Sequence, residues 1–85
     1  MSVIMGRVTN KKGEPLQDVV VNIVKGTGSY PDISALTDMN GEYDLDYISP
    51  GFYTVKAEKS GFEILHKTVN IESNAEVMLN FTLID

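Results

Sequence analysis

The chain of 85 residues contains no cysteine and no tryptophan, and only one histidine, His66. Without cysteine there is no disulfide framework, zinc knuckle, iron–sulfur site or thiol nucleophile. One histidine beside one arginine, Arg7, is too little for a histidine-based metal centre or for a cleft of several positioned acid–base groups. Basic residues number 7 against 12 acidic ones, a net charge of −5. That balance argues against nucleic acid, whose phosphates require a basic face. Apolar runs reach only a few residues, so no membrane insertion is expected. The start, Met1-Ser-Val-Ile-Met-Gly-Arg7, lacks a basic region followed by an apolar stretch and does not read as a signal peptide. A cytoplasmic location is the default expectation, with leaderless export as the alternative. Helical periodicity is missing too: no segment of ten or more residues has apolar positions at i, i+3, i+4 and i+7.

What is present is 42% hydrophobic residues, enough for one small domain over residues 1–85. Turn signals recur at Asn10–Pro15, Gly26–Asp32, Asp38–Gly41, Ser49–Gly51, Ser60-Gly61 and Glu72–Ala75. Between them lie runs rich in Val, Ile, Thr, Tyr and Phe, which suit a pleated, half-buried surface. Seven strands are predicted, at about 3–9, 18–25, 34–38, 42–47, 52–59, 62–71 and 76–84. Val19, Val21 and Ile23 alternate with polar or outward positions. So do Tyr43 with Leu45, Tyr53 with Val55 and Ala57, and Val77 with Leu79, Phe81 and Leu83. Period two places one set in a core and the other in water or against a partner. The fold class is all-β, a seven-stranded antiparallel two-sheet sandwich. Its expected core is Val8, Val21, Ile23, Tyr43, Leu45, Ile48, Tyr53, Val55, Phe62, Val69, Ile71, Leu79, Phe81 and Leu83.

The punctuation has a recognisable order: Gly6-Arg-Val8, Gly13-Glu-Pro15-Leu16, Thr37-Asp38-Met-Asn40-Gly41-Glu-Tyr43, Ile48-Ser-Pro50-Gly51-Phe-Tyr53, Ser60-Gly61-Phe62, and Leu79-Asn-Phe81-Thr-Leu83. It resembles the carboxypeptidase regulatory-like domains, a transthyretin-like (prealbumin-like) β-sandwich family, over nearly the whole chain. The resemblance implies a non-catalytic accessory module without a cofactor, of the kind attached to peptidases, receptors, adhesins and secretion spikes. Turn chemistry agrees with it. Asn40-Gly41 is expected to supply positive-φ positions for a hairpin between the third and fourth strands. Gly51 is expected to supply the left-handed position after Pro50, and Gly61 the same before Phe62.

Several sites are legible as candidates. Asp38-Met-Asn40-Gly41 starts like a calcium loop, but the twelfth position is Ser49 rather than a bidentate carboxylate, so the segment reads as a turn in which Asp38 binds nearby amides. Glu42, Asp44 and Asp46 share one face of a strand, solvated or paired with Arg7 or Lys56. The related collagen-adhesin B-type domains form an isopeptide crosslink from a first-strand lysine. Here the first strand carries Arg7, so that bond is not expected.

The segment 26–33 is the most individual part, with Tyr30, Pro31 and Asp32 in a loop that either protrudes for recognition or folds back over the sheet. The outward set Met78, Asn80, Thr82 and Ile84 is apolar for a solvent face, as are Val20 with Val24 and Val3 with Met5. The expected function is therefore a non-enzymatic interaction module. It would dock on another protein, or on a second copy of itself, through Tyr30, Pro31 and Asp32 or through Met78, Asn80 and Ile84. The alternative is an adhesin-like carbohydrate module stacking sugars on Tyr30, Tyr47 and Phe52, with Asp32 and Asn40 as polar partners. Hydrolysis, which some transthyretin-like folds perform, is disfavoured by the scarcity of histidine and arginine.

Overall fold

Alternating apolar positions leave each strand with one face to bury, and two sheets stacked on those faces satisfy all of them. The computed structural model describes residues 1–85. It has eight strands and no helix: β1 (Ser2–Thr9), β2 (Val20–Gly26), β3 (Ser34–Leu36), β4 (Glu42–Ile48), β5 (Gly51–Glu58), β6 (Leu65–Ile71), β7 (Glu76–Met78) and β8 (Phe81–Thr82). The first sheet runs β4-β1-β7, with β8 also paired to β1; the second runs β3-β2-β5-β6. Fourteen buried hydrophobic residues fill the space between them. The expected core holds except at Phe62, Val69 and Leu79, which are half-buried and pack on its rim, while Ile4, Val19 and Ala57 join it.

The all-β, two-sheet sandwich is as the sequence implies, with two differences of detail. The pairings of β1 with β7 and with β8 are parallel, because the chain leaves β6 in the second sheet and re-enters the first beside β1 in the same direction. The expected strand 76–84 is also divided in two. Opposite the break lies Gly6, where a Cβ would sit 2.0 Å from the Leu79 carbonyl oxygen. The next amide, Arg7 N, donates to the Asn80 side-chain oxygen at 2.8 Å instead of to a main-chain carbonyl. A side chain thus replaces one rung of the ladder, and the strand resumes at Phe81.

The expected hairpin at 38–41 is a corner instead: β3 and β4 belong to different sheets. Asp38 accepts the amides of Asn40 and Glu42, each at 2.9 Å, as the turn chemistry implied. Of the Asn40-Gly41 pair only Gly41 takes positive φ, at 75°. Nor is Gly51 the left-handed residue of its corner; its φ is 157°. That role falls to Tyr47, φ 62°, at a bulge where β4 has one more residue than β1 between the pairs Ile4–Leu45 and Ser2–Ile48. Two buried polar residues anchor connections. Thr37 Oγ1 donates to the Leu16 carbonyl at 2.6 Å and accepts the Val19 amide at 2.9 Å. Ser2 Oγ donates to the Glu72 carbonyl and accepts the Ala75 amide.

Candidate interaction face

β1 is the central strand of its sheet, with Ile4, Gly6 and Val8 buried; Val3, Met5 and Arg7 therefore line the outer face. The register sets their neighbours. Met5 lies between Asp44 on β4 and Met78 on β7, Arg7 opposite Glu42, and Val3 opposite Glu76. The result is a shallow groove of about 610 Å³ whose lining includes Met5, Arg7, Asp38, Glu42, Asp44 and Met78. Met78 is 64% exposed. Around these thioethers stand Glu42, Asp44, Asp46 and Glu76 on exposed positions. The face has one cation, Arg7, whose Nη2 donates to Glu42 Oε2 at 3.3 Å with both groups about half exposed. Such a solvated pair is weak, so the field of the face remains negative. Lys56, the other cation considered for these acids, lies in the second sheet and pairs with Glu58 on its own strand at 3.0 Å.

The groove floor is tied by a hydrogen bond between β4 and the Leu79-Asn80 step. The Tyr43 hydroxyl donates to the Leu79 carbonyl beneath it, and burial pushes that phenol far above its ordinary pKa. The face offers two polarizable, adaptable side chains beside a row of carboxylates on β4, with Glu76 on the β7 side. It carries no histidine, no nucleophile beside a base, and no group of three metal-ligating side chains.

The six residues singled out from sequence do not form one patch. Met78 and Asn80 do come together, beside Met5 and Arg7. Ile84 lies past β8, where its carbonyl accepts the Glu63 amide at 2.8 Å. Tyr30 turns inward, its ring edge-on to Tyr53 with centroids 5.6 Å apart. Loop 26–33 is bound to the corner between β4 and β5: Ser49 N donates to the Ser29 carbonyl, Thr27 N to the Phe52 carbonyl, and Phe52 N to Thr27 Oγ1. Pro31 is half-buried, leaving Asp32 and Ile33 exposed. Asn40 and Tyr47 sit at opposite ends of β4, so Tyr30, Tyr47, Phe52 and Asn40 do not make one platform. Phe52 instead lines a separate groove of about 500 Å³ on the second sheet, with Lys25, Thr27, Thr54 and Thr68. His66 is exposed on β6, opposite Lys56.

Alternation alone identified Met5, Asp44 and Met78 as outward-facing. It carried no signal that β1 brings them side by side, because that depends on pairings far apart in sequence.

A family model, described as carboxypeptidase regulatory-like domain, matches residues 3–84. No curated protein matches the chain significantly. Among solved structures, chlorocatechol 1,2-dioxygenase from Pseudomonas putida superposes with a TM-score of 0.73 at 18% identity, covering 99% of this chain and 60% of that one. The major pilin subunit of Bacillus cereus gives 0.77 at 15% identity, over 96% of this chain and 28% of that one. A chain of a type II cohesin–X-dockerin complex from Acetivibrio cellulolyticus gives 0.69 at 22% identity, over 95% and 53%. This chain thus spans 60% or less of each of these structures, and at such identities the likeness is one of fold.

Proposed function

The chain belongs to the carboxypeptidase regulatory-like domain family, and we propose that it is a non-enzymatic docking module whose contact with another protein is the outer face of the β4-β1-β7 sheet. The observation that carries this reading is Met5 beside an exposed Met78, bordered by the exposed carboxylates of Glu42, Asp44, Asp46 and Glu76, of which Glu42 alone has an ion-pair partner, Arg7. Exposed apolar side chains on a rigid sheet mark partner surfaces, and thioethers adapt to varied shapes. The carboxylates select the partner's sign: a protein surface bearing an apolar residue flanked by lysine or arginine, whose aliphatic stems would lie along the methionines. The same field disfavours nucleic acid. Fold neighbours described as a pilin subunit and a cohesin–dockerin assembly are in keeping with a module that works by contact.

The test is crosslinking capture from lysate with the wild type, an Asp44→Lys/Asp46→Lys variant, and an Asp32→Ala/Ile33→Ala variant. The expected result is a basic protein captured by the wild type and the loop variant and lost with the reversed charges. Capture that survives charge reversal and fails in the loop variant would move the contact to segment 26–33.

A second reading has its own observation. Phe52 is 64% exposed among Thr54, Thr68 and Lys25. An aromatic face among hydroxyls suits an oligosaccharide, and glycan-array binding lost in Phe52→Ala would establish it.

A further inference from the structure

We propose that β6 is the edge through which two copies of this chain pair, antiparallel about Thr68, joining their second sheets across a two-fold axis.

The sandwich has four edges, and three are blocked. β3 has three residues, while β7 and β8 are short and divided at Leu79-Asn80. β4 is bulged at Tyr47, its Glu42 main chain is bonded to Asp38, and its acids would meet their own copies in a two-fold pairing. β6 is neither short, divided nor bulged, and its one charge, Lys67, is drawn down over Phe81 to the Asn80 carbonyl. It has seven residues, no proline, and an unbroken register with β5 from Gly51–Ile71 to Ala57–Leu65.

The main-chain directions of β6 follow from its neighbours. Phe52 turns its amide and carbonyl toward Thr27, on the β2 side. Alternate residues Tyr53, Val55 and Ala57 therefore face β6, where Val69, Lys67 and Leu65 answer them. His66, Thr68 and Asn70 are left with amides and carbonyls pointing off the edge, and no main-chain bond outside the strand ladders reaches them.

Pairing about Thr68 is self-complementary. Thr68 meets Thr68 of the second copy, and His66 meets Asn70, so each of these pairs can exchange both of its hydrogen bonds. On the inner side Leu65 meets Ile71 and Lys67 meets Val69. No like charges stand directly opposite, and threonine pairs are favourable across strands.

The side of the sandwich below this edge is also incompletely covered. Leu65, Val69, Val77 and Leu79 are half-buried, and Lys67 reaches over the Phe81 ring to the Asn80 carbonyl. A second copy would extend that cover. The contact is small for a stable dimer, so pairing is expected to depend on concentration.

Because the chain has no cysteine, a single introduced thiol reports the geometry without background. Residues in a hydrogen-bonded antiparallel pair lie about 5.5 Å apart at Cα, within disulfide reach. Thr68→Cys is expected to give a disulfide-linked dimer rapidly under mild oxidant, while His66→Cys and Asp44→Cys stay unlinked. Light scattering of the wild type should show mass rising toward two chains with concentration. Thr68→Lys, which sets two cations face to face, should remain at one chain with its unfolding transition intact. A single-chain mass at every concentration, equal crosslinking at 66 and 68, or a dimer indifferent to Thr68→Lys would each overturn the proposal.

Discussion

The ring of Tyr30 stands at 86° to that of Tyr53, edge to face, with centroids 5.6 Å apart. Tyr53 is itself nearly inaccessible and donates its hydroxyl to the Ser49 carbonyl, with the Ser29 carbonyl 3.3 Å away. A loop that could have held an aromatic out to a partner holds it instead as a lid on the core. Tyr30→Ala should therefore cost about 2 kcal/mol, combining the aromatic pair with lost packing. Asp32→Ala should stay within about 0.5 kcal/mol of wild type. Urea unfolding of the two variants separates them, and equal midpoints would show that Tyr30 does not pack as described.

Tyr47 takes φ 62° while its side chain remains 67% exposed. A left-handed backbone costs a residue with a Cβ about 1–2 kcal/mol, against about 0.5–1 kcal/mol of extra chain entropy lost by glycine. Tyr47→Gly is expected to raise the thermal midpoint, and Tyr47→Val to lower it. A glycine variant less stable than wild type would mean that the ring makes contacts outweighing the strain.

At Gly6 the obstacle is backbone, with the Leu79 carbonyl 2.0 Å from where a Cβ would stand. Gly6→Ala must push β1 and the Leu79-Asn80 step apart, at a cost of about 2 kcal/mol or more. Hydrogen exchange should quicken first at Leu79 and Leu83, whose amides bond to β1 carbonyls.

Thr37 is 2% exposed and serves two main-chain groups with one hydroxyl. Thr37→Val preserves shape but leaves the Val19 amide and the Leu16 carbonyl unpaired, costing about 2–3 kcal/mol. Thr37→Ser, which keeps the hydroxyl, should recover most of that in the same unfolding measurement.

Alkali provides a further handle. Burial raises the phenol of Tyr43, and burial with the neighbouring Tyr30 raises that of Tyr53. The folded state then keeps protons that the unfolded chain gives up above the ordinary tyrosine value of about 10. Stability is fully present below that pH and falls above it, by about 1.4 kcal/mol per pH unit for each tyrosine still protonated when folded. Tyr43→Phe should make the decline above pH 10 shallower; an unchanged slope would remove Tyr43 from the account.

Strand alternation made most of the core legible, since Val21, Ile23, Tyr43, Leu45, Tyr53 and Val55 had no other face to occupy. Alternation does not read pairing. The parallel course of β7 and β8, the break at Leu79-Asn80 and the corner at Asp38–Gly41 all depend on which strands meet across the sandwich. The turn residues were legible as turns, and Gly41, Gly51 and Gly61 do take positive φ, but Asn40 does not and Gly51, at 157°, is not in the αL conformation. No local signal marked Tyr47, where the bulge opposite β1 sets φ at 62°. Thr37 and Ser2 carry no signal in the sequence, because a buried hydroxyl is spelled like any solvated one.

The sequence by itself determined the class, the two-layer architecture and the family, because period-two burial and glycine-bearing corners are local properties written residue by residue. Only the tertiary structure decided that Met5, Met78 and Asp44 share a groove, that Tyr30 is packing, and that β6 has an open edge. Each of these depends on which distant strand lies alongside, and that is settled by the joint packing of two sheets rather than by any segment alone.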